Sequence, residues 1–371
     1  MDNFKGISKG VFSAITWAIT TLISGIVLSL SPFSNMKYSL IFTPLVAVFL
    51  HDFIGSIWLI SYFIIKGELF DFFKAFKSKS AKYAILVGLC GGPIGMGGYY
   101  LSIKYIGSSY AAAMSCAYPI MGAILAAIFL KEKLNKKSWL GLILGITGVT
   151  LLSVNGNNGH MNIIGILFSL LPIIGWGSES VLCSIAMKDN EITPLQMLQI
   201  RFITSGVTFG IFVLPFIHGY NLIGSLITTN HYTLILCLTA SLMGVISLSS
   251  YYSCIKDIGP VKSMILNMTY VVWSLVFSIL LLHSNITINK VIYTLVILAG
   301  SILVILNNSN SKDMVPTVKI DKFYNVLAIK NYKNKSIHTY TKFYRHVYRT
   351  KKTAIFVRAN TYASKDYVKS N

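Results

Sequence analysis

The sequence predicts an all-α membrane protein with ten transmembrane helices, arranged as two inverted five-helix repeats and followed by a basic C-terminal tail. Three observations lead to this fold class: the composition, the length of the apolar runs and an internal duplication. Of the 371 residues, 54% are hydrophobic and only 12% are charged. Since a soluble protein carries about 25% charged residues, this composition excludes a protein that is surrounded by water on all sides.

Ten apolar runs are long enough to cross a bilayer, which takes about 20 residues of helix. Their length and their lack of strict alternation predict helices rather than barrel strands. The first run has no small-residue cleavage motif after it, so we expect it to stay as the first span rather than to be removed as a signal peptide. The runs cover residues 10–30, 39–65, 83–105, 109–130, 138–154, 162–187, 194–217, 232–256, 261–282 and 288–307.

An internal duplication relates the two halves of the chain. The segments YYLSIKYIG (99–107) and YYSCIKDIG (251–259) are identical at six of nine positions. The same offset of 152 residues continues without a gap over about 60 residues, and it pairs Gly92 with Gly244, Tyr118 with Tyr270 and Gly148 with Gly300. Near the start of each half the offset is 159, which pairs Gly6 with Gly165 and Trp17 with Trp176. We expect a first repeat at 1–154, a second at 155–310 and a largely disordered tail at 311–371.

The odd number of spans in each repeat makes the second copy enter the membrane from the opposite side, an architecture typical of secondary transporters. In this topology 28 of the 32 Lys and Arg residues lie on the side of the N-terminus, 3 lie on the other side and 1 lies within a span. By the positive-inside rule both termini are cytoplasmic, and we expect a multi-pass protein of a bacterial inner membrane. The net charge of +20 therefore reflects topology, and no nucleic-acid partner is expected.

Several features in residues 99–153 carry a family resemblance. They are small residues, a Tyr-Pro within a helix, a Lys-Glu-Lys at the helix end and a Trp-x-Gly in the next span, in the segment YYLSIKYIGSSYAAAMSCAYPIMGAILAAIFLKEKLNKKSWLGLILGITGVTLLS. Together they resemble the EamA family of the drug/metabolite transporter superfamily, over about residues 6–307. The second half departs from the pattern, because no Pro stands beside Tyr270 and no acidic residue matches Glu132.

The resemblance implies ten helices around a central cavity, with spans 5 and 10 at the periphery. It also implies transport of small metabolites, amino acids or drugs by alternating access, often outward. These functional expectations come from the resemblance and not from the composition or the spacing.

Ionisable side chains within a span are functional candidates, because they are costly there unless they are paired or hydrated. The candidates are His51, Asp52, Glu179 and Arg201. Glu179 and Arg201 both lie about 12 Å from the cytoplasmic ends of consecutive antiparallel spans, which predicts an ion pair. This pair either staples two helices or forms a substrate- or proton-linked site. A short alignment of HDFI (51–54) with IRFI (200–203) places Asp52 at the position of Arg201. His51 and Asp52 either titrate in a proton-coupled cycle or face a watery vestibule as structural groups.

Aromatic and polar side chains recur at or near matching repeat positions, and rings that line a cavity can stack on apolar or cationic solutes. The alternative is that the rings face lipid or the membrane interface. The candidate substrate-binding residues are Trp17, Tyr99, Tyr100, Ser115, Tyr118, Trp176, Glu179, Tyr251, Tyr252, Asn267 and Tyr270. Three prolines lie in glycine-containing helices and are candidates for hinges or for close packing: Pro93, Pro119 and Pro172.

These features predict a secondary transporter, a permease or exporter, of a small organic metabolite such as an amino acid or a drug-like solute. Proton coupling is an open part of this prediction. The alternative is a non-transporting receptor or scaffold that acts through the basic tail. No HExxH, paired-carboxylate DxxD or GxxxxGK[ST] motif is present, so we expect neither an enzyme nor direct use of ATP. The five cysteines form no CxxC pair, and no cofactor or metal is expected. The expected partners are the bilayer, the substrate and a second copy bound through peripheral helices.

Overall fold

A computed structural model of the chain describes residues 2–34, 43–131, 134–154, 163–282 and 288–307. The predicted tail, 311–371, lies outside these residues. The helices of the first half are α1 (Asp2–Ser29), α2 (Thr43–Lys66), α3 (Leu69–Phe76), α4 (Ala81–Leu89), α5 (Gly97–Ser115), α6 (Tyr118–Leu125) and α7 (Lys136–Val154). Those of the second half are α8 (Ile163–Ala186), α9 (Pro194–Phe212), α10 (Gly219–Thr229), α11 (His231–Ile258), α12 (Pro260–Met268), α13 (Tyr270–Leu282) and α14 (Ile288–Asn307).

Helices coincide with all ten apolar runs, and in the described ranges five helical stretches are by themselves long and apolar enough to cross a membrane. The five are Phe4–Ser29, Thr43–Lys66, Ala81–Ser102, Ile163–Ala186 and His231–Ile258, and shorter apolar stretches occupy Tyr118–Leu130 and Val291–Val304. The chain is therefore an all-helical, multi-pass membrane protein in its described part. The full count of ten spans stays a prediction.

The helices that surround the centre have clear relative directions. At one end of α1 the backbone oxygen of Ser31 accepts a hydrogen bond from Thr233 (2.8 Å). At the other end Lys9 pairs with Asp257 (2.7 Å), so α1 and α11 are antiparallel. We call the end of the bundle where α1 begins the near end, and the end where α1 finishes the far end.

Helix α9 runs antiparallel to α2. Gln199, close to the start of α9, donates to Ser56 in the second half of α2 (2.9 Å). Gly210, close to the end of α9, lies against Phe49 in the first half of α2. The two helices thus face each other along most of their length, one from each repeat.

The helical stretch Gly97–Ser115 bends back on itself. Ile106 packs against Gly165, whereas Met114 lies beside Ser169 on the same helix, with its sulfur 3.2 Å from the Ser169 hydroxyl. A straight helix would carry Met114 about 12 Å beyond Ile106, so the chain must reverse direction between them. The reversal lies at the boundary between the third and fourth apolar runs. At the corresponding place in the second half, Gly259 takes a positive φ of 87° before Pro260 starts α12.

The three hinge candidates occupy different settings. Pro93 lies inside a π-helical segment, Cys90–Met96, that joins α4 to α5, in keeping with the backbone bond that a proline cannot make. Pro119 was expected within a helix, but it lies in the first turn of α6, after a break at Cys116–Ala117, where its missing N–H costs nothing. Pro172 lies within α8, which runs through it without interruption. Hinge motion at these residues stays a prediction.

Two short helices, α3 and α10, were not predicted from the apolar runs. In α3 the side chain of Phe72 is buried and stacks on Phe63 (centroids 5.6 Å apart), whereas Phe70 and Phe73 are exposed. The exposed apolar faces suit helices that lie in the membrane interface. Each helix follows a long span of its repeat, α2 or α9.

Helices α7 and α14, the predicted peripheral spans 5 and 10, pack against each other through glycines. A Cβ atom on Gly300 would meet the carbonyl oxygen of Gly141 and the backbone nitrogen of Gly145, and one on Gly148 would meet Ile297. Small residues allow the backbones of membrane helices to approach this closely. The glycine faces of these helices are therefore used within the chain.

Filling this seam should destabilise the protein. We expect Gly300→Ile to lower the free energy of unfolding by about 1–3 kcal/mol or more, because the new side chain has no space against the α7 backbone. Thermal unfolding of the purified protein in detergent measures the effect. The control is Ala299→Ile, at the exposed neighbouring position, which should leave the midpoint almost unchanged. Equal midpoints for the two variants would contradict the packing described here.

Candidate functional site

Three buried ionisable side chains form one cluster at the centre of the bundle. Arg201 (α9) places Nη1 2.7 Å from Asp52 Oδ1 (α2) and Nε 3.5 Å from Glu179 Oε1 (α8). Asp52 is 0%, Arg201 1% and Glu179 4% exposed. The ion pair predicted between Glu179 and Arg201 is thus present, but the shorter contact of the guanidinium is to Asp52. Because Asp52 belongs to the first repeat, the cluster joins the two halves.

Glycines allow the helices to come close enough for these contacts. A Cβ atom on Gly91 would overlap the carboxylate of Glu179, and one on Gly92 would overlap the hydroxyl of Ser205. Both glycines lie in the π-helical segment, Cys90–Met96, whose bare backbone therefore forms one wall of the cluster.

The contact between Asp52 and Arg201 agrees with the short alignment that makes them equivalent. Phe53 and Phe202 follow them in that alignment, and each packs against a glycine of the opposite helix, Gly206 and Gly55 respectively. Equivalent positions that touch each other lie close to a two-fold axis.

The cluster holds two acids and one base, so its formal charge is −1 when both carboxyl groups are ionised. Two neighbouring polar side chains contact the carboxyl groups. The hydroxyl of Tyr252 donates to Glu179 Oε1 (2.6 Å), and His51 Nδ1 lies 2.9 Å from Asp52 Oδ1. In an apolar interior such hydrogen bonds partly offset the desolvation of a buried charge.

A central cavity lies against this cluster. It has a volume of about 30 Å³, which holds about two water molecules. Seven of the eleven predicted substrate-binding residues line it: Trp17, Tyr118, Trp176, Glu179, Tyr251, Asn267 and Tyr270.

Four lining residues were not predicted as substrate-binding, namely Met96, Ser180, Arg201 and Leu248. The repeat could have revealed two of them, because the offset of 152 residues pairs Met96 with Leu248.

The remaining four predicted residues lie outside the lining set. Tyr99 packs behind Trp176, with ring centroids 5.1 Å apart, and Tyr252 holds Glu179. Tyr100 lines a different cavity, and Ser115 is buried without lining either one.

The lining tryptophans and tyrosines form an aromatic wall of the cavity, and two of its hydroxyl groups are hydrogen-bonded within the protein. Tyr118 donates to the backbone oxygen of Met264 (2.9 Å), and the hydroxyls of Tyr251 and Ser180 are 2.7 Å apart. Trp176 meets the edge of Tyr118 at a centroid distance of 5.9 Å. Hydrogen bonds and ring contacts of this kind hold the aromatic side chains in fixed orientations.

A second cavity, of about 20 Å³, lies on the other side of His51. It is lined by Ser24, Val27, Ala47, His51, Tyr100, Cys237 and Ala240. His51 Nε2 is buried and has no hydrogen-bond partner among the described residues. Because His51 contacts Asp52 and Asp52 contacts Arg201, a continuous polar connection links the second cavity to the central one.

Comparison with known proteins identifies a family model that matches the chain twice. The model describes the EamA-like transporter family and matches residues 4–154 and 163–306. The two matches coincide with the two halves that the internal offsets relate.

Individual relatives agree with this match. The chain is 31% identical to Protein LicB of Haemophilus influenzae over 309 residues, which cover 83% of this chain and all of the relative. It is 24% identical to an uncharacterized transporter of Clostridium kluyveri over 237 residues, 62% of this chain and 74% of the relative. A solved crystal structure superposes with a TM-score of 0.59 at 14% identity, over 81% of this chain and 96% of that one, and shows likeness of fold alone.

Removal of the Arg201 guanidinium should lower the stability of the folded protein more than removal of a surface charge does. We expect Arg201→Met to lower the free energy of unfolding by about 3–5 kcal/mol, because two buried carboxylates lose their counter-charge. Adding Asp52→Asn should recover part of this loss. Thermal unfolding in detergent measures both effects.

The control for Arg201→Met is Lys74→Met, which breaks the exposed Asp71–Lys74 pair (3.2 Å). Exposed pairs of this type contribute little to stability, so the control should unfold at almost the same temperature as the unaltered protein. Equal unfolding temperatures for Arg201→Met and Lys74→Met would show that the buried cluster does not stabilise the fold.

Proposed function

The chain belongs to the EamA-like transporter family, and from that membership we propose that this membrane transporter is a secondary transporter of small organic cations. The family is one of transporters rather than enzymes. The observation that carries the choice of a cationic solute is the central cavity, which combines an aromatic wall with a buried cluster of two carboxyl groups and one guanidinium.

The charge of the cluster favours a cation as the occupant. When both carboxyl groups, Asp52 and Glu179, are ionised, Arg201 neutralises one of them and a formal charge of −1 remains. Of the two, Glu179 lines the central cavity. A positively charged solute in the cavity would complete the neutralisation, whereas an anionic solute would add a second uncompensated charge to a site without bulk water.

The aromatic wall favours the same class of solute. Indole and phenol faces attract ammonium groups by cation–π interaction, most strongly where water is excluded. Two tryptophans and three tyrosines line the cavity, and they come from both repeats: Trp17, Tyr118, Trp176, Tyr251 and Tyr270. Cationic amino acids, amines and drug-like cations all lie within this class.

The size of the cavity supports transport by alternating access. A space for about two water molecules cannot accept an organic solute, so the helices around it must separate to bind or release one. The packing of two repeats around a common centre suits rocking of one half against the other. On the basis of the lysine and arginine distribution, we place both termini in the cytoplasm and the protein in a bacterial inner membrane.

Proton coupling is the second part of the proposal. A proton on the cluster and a cationic solute in the cavity would each neutralise the same excess charge. His51 lines the second cavity and contacts Asp52, so protons could reach the cluster from that side. Histidine changes its charge near neutral pH, which suits this role.

We expect tetramethylammonium to bind and the uncharged tert-butanol, of similar shape, not to bind. Quenching of tryptophan fluorescence measures the binding, because Trp17 and Trp176 line the cavity, and counterflow of labelled tetramethylammonium in proteoliposomes measures transport. Glu179→Gln should weaken binding by about 10-fold or more and reduce counterflow, since it removes the excess charge. The control is Glu68→Gln, at an exposed position. Equal affinity for tetramethylammonium and tert-butanol would show that the charge of the solute does not determine binding.

We expect an imposed pH gradient to change the rate of organic-cation flux in the unaltered protein and not in His51→Gln. The substitution keeps a polar side chain but removes the titratable ring. The control is His231→Gln, at an exposed position at the start of α11, which should respond like the unaltered protein. Flux that ignores the pH gradient in all three proteins would exclude proton coupling.

A further inference from the structure

The near end of the bundle is closed by a contact between α1 and α11. Gly6 packs directly against Asp257 and Ile258. One turn later, Lys9 Nζ lies 2.7 Å from Asp257 Oδ2, with 43% and 27% of the two side chains exposed. The ion pair is therefore partly exposed, and it lies next to a glycine that packs against the side chains of α11.

The far end is closed by a contact between α5 and α8. Gly165 packs directly against Tyr105 and Ile106. One turn later, Phe168 packs against Tyr105 in a tilted arrangement, with ring centroids 5.6 Å apart and an interplanar angle of 35°. An aromatic pair thus occupies the rim, again next to a packed glycine.

The internal offsets convert one closure into the other. The offset of 159 residues takes Gly6 to Gly165 and Lys9 to Phe168, and the offset of 152 takes Tyr105 to Asp257 and Ile106 to Ile258. The match continues inward, where Gly10 meets Leu266 and the equivalent Ser169 meets Met114. The two ends are therefore closed by the same positions of the repeat with different side chains.

The two closures lie at opposite ends of the bundle. Val27 and Ala47 line one cavity, so α2 begins at the far end, where α1 finishes. Since α9 runs antiparallel to α2, it begins at the near end. Residues 187–193 join α8 to α9, so α8 finishes at the near end and begins at the far end.

We propose that Lys9–Asp257 and Tyr105–Phe168 are the two gates of the transport cycle, and that their different chemistry makes the two ends open under different conditions. This inference rests on the proposed alternating access. The near gate is a partly exposed ion pair, which dissolved salt screens. The far gate is an aromatic pair without net charge, whose contact ionic strength hardly affects. Salt should therefore favour opening of the near end alone.

Solvent access to the central cavity provides a test that needs no transported substrate. Leu248 lines the cavity, so Leu248→Cys, with the five native cysteines replaced by alanine, is a reporter. A membrane-impermeant maleimide labels it from one face in right-side-out membrane vesicles and from the other face in inside-out vesicles. Asp257→Asn should raise the labelling rate about 3-fold or more from the near end and lower it from the far end. Phe168→Ala should do the reverse.

The salt dependence tests the chemistry of each gate. Raising KCl from 20 mM to 500 mM should speed near-end labelling of the reporter, with no comparable change at the far end. In the double variant Lys9→Phe/Asp257→Tyr, which places the far-end pair at the near end, near-end labelling should lose its response to salt. The control is Asp71→Asn, which breaks an exposed ion pair on α3 and should label like the reporter alone.

These measurements test the gate assignment separately from the proposed transport of organic cations. Near-end labelling unchanged by Asp257→Asn, in a variant that unfolds at the same temperature as the reporter, would overturn the gate assignment even if organic-cation flux is present. The expected labelling changes without any organic-cation flux would retain the gates and overturn the proposed substrate. Salt that accelerated labelling equally from both ends would overturn the distinction between an ionic and an aromatic gate.

Discussion

A guanidinium held between two carboxyl groups, in the apolar interior of a membrane protein, constrains the rest of this molecule. Arg201 cannot be buried alone, since its charge would be uncompensated, so α2 must bring Asp52 to it and α8 must bring Glu179. The close approach of these helices in turn requires bare backbone opposite the charged groups, which Gly91 and Gly92 provide. The π-helical widening around Pro93 lies in the same segment. One electrostatic requirement thus accounts for Gly91 and Gly92 and for the contact between the two repeats.

The same cluster determines which solutes the central cavity favours. Its excess negative charge lies beside rings whose hydroxyl groups are already hydrogen-bonded, as in Tyr118 and Tyr251. These polar atoms already have protein partners, so the rings offer an occupant mainly apolar surface. A solute would be selected by its charge and its apolar surface more than by a pattern of hydrogen bonds, a mode of recognition that tolerates solutes of different shape.

Much of the fold could be predicted from the sequence, because the length of the apolar runs and the internal repeat can both be read without knowing which helices touch. Apolar length predicted the spans, and the offsets of 152 and 159 predicted which positions are equivalent. The contacts between elements were harder to predict. Equal depth predicted the pairing of Glu179 with Arg201, but depth alone does not say which face of α2 turns inward, so the shorter contact to Asp52 was missed. The short helices α3 and α10 were missed because the search was for apolar runs long enough to cross a bilayer. These helices have only eight and eleven residues. Recurring aromatic residues predicted the cavity correctly at Trp17 and Trp176 and at Tyr118 and Tyr270. The cavity was missed at Met96 and Leu248, whose side chains could equally face lipid.

The glycine seam between α7 and α14 has a consequence for how such a chain could have arisen. Gly141 packs against the backbone of Gly300, and Gly148 packs against the backbone of Tyr293. The offset of 152 residues exchanges these two contacts, and a surface that matches its own copy in this way is isologous. A chain of half this length that carried the seam would bind a second copy of itself, and its assembly would depend on its concentration in the membrane. Joining two copies in one chain replaces that dependence with a fixed, high effective concentration. It also releases the two copies from having identical sequences, so that one rim can keep an ion pair while the other carries two aromatic rings.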